Sequence, residues 1–179
     1  MKMSFEPKYQ ANYCEENIWH LASEPQLQAL ERFVVVISNP GKCFAMWEQK
    51  AGPEGEPIMW DYHVVLVTRG EELQIWDLDT KGGYPQPAQS WIQASFSGIA
   101  SMPDAFQPMF RVIEAKTFLD EFSSDRSHML VDENTYREPA PDWSPIGADK
   151  PSNLHRFINM NFPFVGEVFD LDDFTIWLG

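Results

Sequence analysis

Basic residues are scarce in this chain. Lys and Arg number 13 against 27 Asp and Glu, leaving a formal charge of -14 over 179 residues. Nucleic acid and anionic membrane surfaces are held by clustered Lys and Arg, so neither fits as a partner. A cationic ligand does fit, for example a peptide with a free amino group. Long apolar runs are also missing. None nears the ~20 residues of a membrane-spanning helix, and the polar first ten residues lack the apolar stretch of a secretory signal. Cysteine is reduced to Cys14 and Cys43. Without an export signal both are expected as free thiols in a reducing compartment, which places the protein in the cytoplasm, with the nucleus also open to it.

Several chemical signatures are absent too. The histidines His20, His63, His128 and His155 show no metal-ligand spacing with the cysteines, and there is no His-Glu-x-x-His run. A Gly-rich phosphate loop and a Gly-x-Ser-x-Gly elbow are both lacking.

What is present is apolar and aromatic: 44% hydrophobic residues, with seven Trp and thirteen Phe. That suffices for one sizeable core, so residues 1–179 are expected to form a single domain. Cys14 to Ala22 reads as a helix with Ile18, Leu21 and Ala22 on one face, stopped or kinked by Pro25, with residues 26–32 as a possible extra turn. Phe33 to Ser38 is a β-branched strand ended by the turn Asn39-Pro40-Gly41-Lys42, and Cys43 to Gln49 is its expected hairpin partner. Ile58–Thr68 and Leu73–Asp79 form the next hairpin. Phe110–Ile113 and Glu167–Phe169 are further strands; helices are expected near Trp91, over Thr117–Phe122 and Leu154–Met160, and from a cap at Asp170 through Trp177. The class is α+β, an antiparallel sheet with packed helices.

Three residues on these elements can carry nucleophilic chemistry. Cys14 opens a helix, where the dipole and free N–H groups stabilise a thiolate. The adjacent Glu15 and Glu16 oppose this unless they fan out to solvent. The other reading of Cys14 is a small buried hydrophobe. Pairing the second hairpin around Gly70 sets His63 opposite Asp77 and Asp61 opposite Asp79. Opposed residues have Cβ atoms about 4.5–5.5 Å apart, close enough for a carboxylate to orient an imidazole. A shift of two residues would give His63 to Asp79 instead, with the same face kept. Thiol on a helix start, then imidazole and acid on neighbouring strands, is the order used by papain-like and transglutaminase-like enzymes.

The segments Tyr13 to Trp19, Trp60 to Leu66, Asp77 to Thr80, Ser124 to Met129 and Tyr136 to Pro139 together resemble the protein N-terminal glutamine amidohydrolase family. The likeness runs from Tyr13 nearly to the C-terminus and is weakest from Lys81 to Pro108. It implies a papain- or transglutaminase-like fold and a monomer without metal or organic cofactor. The implied activity converts an N-terminal glutamine of a protein or peptide to glutamate with release of ammonia, a step of the N-degron pathway. The implied triad is Cys14, His63 and Asp77. Such an activity has to read the free α-amine, and the motif neighbours offer Glu16, Asp61, Asp79 and Asp125 as acids to hold it, with Trp60 or Tyr62 to wall the glutamine stem. A transglutaminase, a cysteine protease or a non-catalytic binding module on the same scaffold are the alternatives.

Overall fold

The computed structural model describes residues 5–179. In chain order its elements are α1 (Cys14–Ala22), β1 (Glu31–Ser38), β2 (Phe44–Met46), β3 (Ile58–Trp60), β4 (His63–Arg69), β5 (Leu73–Trp76), β6 (Gln86–Pro87), α2 (Ala88–Ser95), β7 (Met109–Glu114), α3 (Ala115–Glu121), β8 (Leu130–Asp132), β9 (Thr135–Tyr136), α4 (Leu154–Ile158), β10 (Glu167–Phe169) and α5 (Leu171–Trp177). Six strands make one antiparallel sheet in the order β10-β7-β1-β4-β5-β6, which confirms the α+β class.

The unbroken apolar runs of β1 and β4 follow from burial on both faces. Val34, Val36, Val64 and Leu66 pack with Ile18 and Leu21 of α1, Phe118 of α3 and Phe157 of α4. Val35, Ile37, Val65 and Val67 pack on the other face with Trp91 of α2 and Phe174 of α5. Each of these fully buried aliphatic side chains contributes about 1.5–3 kcal/mol over an exposed one. The last helix starts as expected, with Asp170 accepting from the Asp173 N–H at 2.9 Å.

Three expectations need correction. Residues 26–32 do not extend α1: Pro25–Leu27 forms a short 3₁₀ turn and β1 already begins at Glu31. The strand after the Asn39 turn pairs with β3 rather than β1. Ile58–Thr68 is not one strand but two. At the break, Asp61 Oδ1 takes the Tyr62 N–H at 2.9 Å and Ser38 Oγ donates to the Asp61 carbonyl at 2.6 Å. Side chains thus satisfy backbone groups that a ladder would otherwise use, and β3 peels away to β2 while β4 stays in the main sheet. Among the described residues, no helix is long and apolar enough to cross a membrane.

Candidate active site

Cys14 is the first residue of α1, whose opening turn closes on the Tyr13 carbonyl through the N–H groups of Glu16 and Asn17. The Cys14 N–H precedes that ladder, as helix-start donors do. Cys14 Sγ accepts a hydrogen bond from the Val64 backbone and lies 3.7 Å from Glu15 Oε2. Burial first, and then the Glu15 charge, push this thiol well above its ordinary range. Burial and the Glu15 charge thus work against the stabilisation that the helix start and the Val64 N–H offer a thiolate. A further correction accounts for the Glu15 contribution: Glu15 and Glu16 do not fan out to solvent but are both fully buried.

His63 opens β4, and Asp77 follows the last residue of β5. His63 Nε2 and Asp77 Oδ1 are 2.9 Å apart, which leaves Nδ1 as the ring nitrogen free for a thiol. Burial alone would disfavour a charged imidazole here, but the Asp77 charge and hydrogen bond more than offset it and raise His63. Asp77 is held below the usual carboxylate range, because His63 together with hydrogen bonds from Gln49 and Trp91 overcomes the opposing effect of burial. Its Oδ2 accepts from Gln49 Nε2 at 3.0 Å and Trp91 Nε1 at 3.1 Å. Trp60 stacks on the imidazole, with ring centroids 5.6 Å apart and planes at 11°.

The ladder that brings them together differs from the expected one by two residues. Leu66 faces Trp76 and Arg69 faces Leu73, so the turn centres on Glu71 rather than Gly70. Extended to its end, this register would put Asp79 opposite His63. The strand stops at Trp76 first, and the chain folds into a turn in which Asp77 Oδ1 accepts the Asp79 N–H at 3.1 Å. That turn carries Asp77 back to the imidazole.

Asp79 is buried next to them and accepts from Tyr9 Oη at 2.6 Å, and burial raises its carboxyl. Ligand-type atoms of His63, Asp77 and Asp79 fall within 4.8 Å of one another. They are a poor fit for a metal, since Asp77 has both oxygens engaged and His63 Nε2 and Asp79 Oδ1 are likewise committed to hydrogen bonds.

A cavity of about 730 Å³ opens over this group, and Cys14, Trp60, Asp61, His63, Asp79 and Asp125 all line it. A family model described as N-terminal glutamine amidase matches residues 9–177. The chain is 39% identical over 176 residues to protein N-terminal glutamine amidohydrolase of Bos taurus, covering 93% of this chain and 84% of the relative. The proteins of the same name from Homo sapiens (39% over 176 residues, 93% and 85% covered) and Danio rerio (35% over 180, 96% and 89%) are similar. The chain belongs to the N-terminal glutamine amidase family.

Within this family member the remaining candidates separate. Glu16 does not line the cavity. Both its oxygens are held by Arg126, from Nε and Nη2 at 2.8 Å, and Trp143 Nε1 adds a third donor at 2.8 Å. That pair anchors α1 to the loop after α3 and leaves no lone carboxylate for an amine. Asp125 is exposed and caps its own turn by accepting the Ser127 N–H at 2.9 Å. Gln49, Trp91 and Tyr9 were given no role at the site by sequence, and Glu15 was read only as a charge beside the thiol. Only Glu15 had a signal, as an acid next to the thiol; the others come from distant loops and elements that no local pattern links to His63 or Asp77.

Proposed function

We propose that this protein hydrolyses the side-chain amide of N-terminal glutamine in proteins or peptides, giving glutamate and ammonia through a Cys14 thioester. The observation that carries this is the pairing of a helix-start thiol and a buried His63–Asp77 dyad at one cavity, in a chain whose relatives are named for that activity. Cys14 Sγ attacks the amide carbon after His63 Nδ1 takes the thiol proton. The oxyanion meets the Cys14 N–H at the positive end of α1. His63 then gives its proton to the departing nitrogen, ammonia leaves, and the thioester remains. A water enters, His63 removes one of its protons, and collapse of the second tetrahedral species expels the Cys14 sulfur, which takes the proton back from His63. Asp77 holds the imidazole with Nε2 protonated and stabilises its charged form.

Trp60 walls the imidazole from one side and excludes water from it. Asp61, Asp79 and Asp125 give the cavity the negative character an α-ammonium needs. A transglutaminase or protease would share the thioester but differ in acyl acceptor or in the bond attacked. The test is incubation of the purified protein with a Gln-starting peptide. Ammonia release matching conversion of the first residue to glutamate, abolished by Cys14→Ala, supports the reading. An intact glutamine after prolonged incubation rejects it.

A further inference from the structure

Two buried glutamates follow the nucleophile, and only one has a full cationic partner. Glu16 is neutralised by the Arg126 guanidinium, as described above. Glu15 is equally buried, yet among the described residues the only basic side chain within ion-pair distance is His128, with Nε2 at 3.5 Å from Oε1; the His63 imidazole feels the Glu15 charge from further off. Its Oε2 accepts from Tyr62 Oη at 2.9 Å. Tyr62 Oη also lies 3.2 Å from His128 Nε2. Since the Tyr62 hydroxyl is given to Glu15, His128 Nε2 is the donor in this contact, and in the neutral ring its Nδ1 is then an acceptor. Both Glu15 Oε1 and His128 Nδ1 are buried without a hydrogen-bond partner among the described residues.

An uncompensated buried carboxylate beside an unpartnered acceptor calls for a ligand that only donates and carries positive charge. An alkylammonium meets both requirements. Tyr62 and His128 line the cavity together with Cys14, while Glu15 does not line it but contacts both of them. Between the amide carbon of glutamine and its α-nitrogen lie only three other carbons. An amide at Cys14 therefore keeps the α-ammonium on the same stretch of wall.

We propose that Glu15 is the counter-charge of the substrate's α-ammonium, received through Tyr62 and His128, and that this pairing draws Glu15 off the Cys14 thiol. The nucleophile is then released only when a free N-terminus is in place. The inference rests on the N-terminal glutamine reading and adds to it a link between amine recognition and thiol activation. In the free protein the thiol faces Glu15, Asp79 and Asp61, three acids that favour its protonated form, against a hydrogen bond from the Val64 N–H and the imidazole of His63 on the same cavity wall. Glu15 is the nearest of the three acids to the sulfur; Asp61 and Asp79 line the cavity and draw a cation in, while Glu15 stands behind its wall with one oxygen unpartnered. Glu15 meets the reacting sulfur directly, 3.7 Å from Cys14 Sγ, and reaches the substrate's ammonium only through Tyr62 and His128.

The experiment follows the ultraviolet absorbance of the Cys14 thiolate against pH, as the difference between each protein and its Cys14→Ser counterpart. The wild-type free protein should show no thiolate at neutral pH. Glu15→Gln, which keeps an oxygen for the Tyr62 hydroxyl, should move the titration down by about 1–3 pH units, the effect of removing one close like charge. The same variant should raise KM for a Gln-starting peptide about ten- to a hundred-fold, as expected for a lost bond to a charged group, with a smaller change in kcat. Tyr62→Phe should raise KM in the same direction, and it keeps the test alive if Glu15→Gln fails to fold. Thiolate already present at neutral pH in the wild type, an unmoved titration in Glu15→Gln, or an unmoved KM overturns the proposal. Absence of any deamidation by the wild type would instead reject the N-terminal glutamine reading, while the titration still reports on the Glu15–thiol link.

Discussion

His63 and Asp77 meet at 2.9 Å with both side chains shut off from solvent, at 1% and 0% exposure. A buried ionic pair is stable only when the remaining lone pairs are also satisfied, and Asp77 meets that condition through Gln49, Trp91 and its own turn. Asp79, two residues further on, hydrogen-bonds Tyr9 instead. Asp77→Asn is therefore expected to lower kcat far more than Asp79→Asn. The amide would favour the wrong imidazole tautomer, which costs about 10⁴-fold in a serine protease. Steady-state kinetics on both variants check this, and a larger loss in Asp79→Asn would show that the wrong acid has been assigned.

The support behind Asp77 sets a pH dependence. Its folded-state carboxyl is held below the usual range, so it contributes stability above the usual carboxylate range that is lost as pH falls through the lowered folded value. Trp91→Phe keeps the ring but removes a donor, and should raise that folded value. Acid unfolding is then expected to begin at higher pH than in the wild type. Thermal melts across the acid range measure it, and superimposable acid limbs would mean that the indole bond does not tune Asp77.

Arg126 and Glu16 offer a stability test away from the reacting atoms. Both are buried, at 5% and 0% side-chain exposure, and Arg126 also donates to the Trp143 carbonyl at 2.7 Å. Arg126→Ala strands the Glu16 charge and should destabilise by about 3–5 kcal/mol. The double variant Arg126→Met with Glu16→Leu should recover part of that loss, because no lone buried charge remains. Denaturant unfolding of the two variants decides it; equal losses would mean that packing, not charge, is what the pair provides.

Much of the frame was legible because its signals are local. The apolar runs of β1 and β4, the helix-start position of Cys14 and the Asp170 cap all follow from residues close in sequence. The His63–Asp77 contact was legible for a reason other than the one that operates. Facing strand positions were expected to join them, whereas the observed register would favour Asp79 and an early strand end returns Asp77 to the ring. Strand ends depend on where backbone groups find side-chain partners, and a pattern of apolar residues does not record that. The burial of Glu15 and Glu16 was illegible for a similar cause. Their partners, Tyr62 and Arg126, lie 47 and 110 residues away, so the glutamates read as a solvated first turn until the fold supplies those partners.

Specificity for a terminal residue is the most direct point of contact with experiment. One mass-spectrometric time course should follow three peptides of the same composition: one starting with glutamine, its N-acetylated form, and one with the glutamine moved inward by a residue. Cys43→Ser should behave as the wild type, since Cys43 does not line the cavity, and Cys14→Ser should be inert. The expected result is conversion of the first peptide alone to its glutamate form. Comparable conversion of the acetylated peptide would contradict N-terminal recognition and leave a general glutaminyl amidase or transglutaminase in its place.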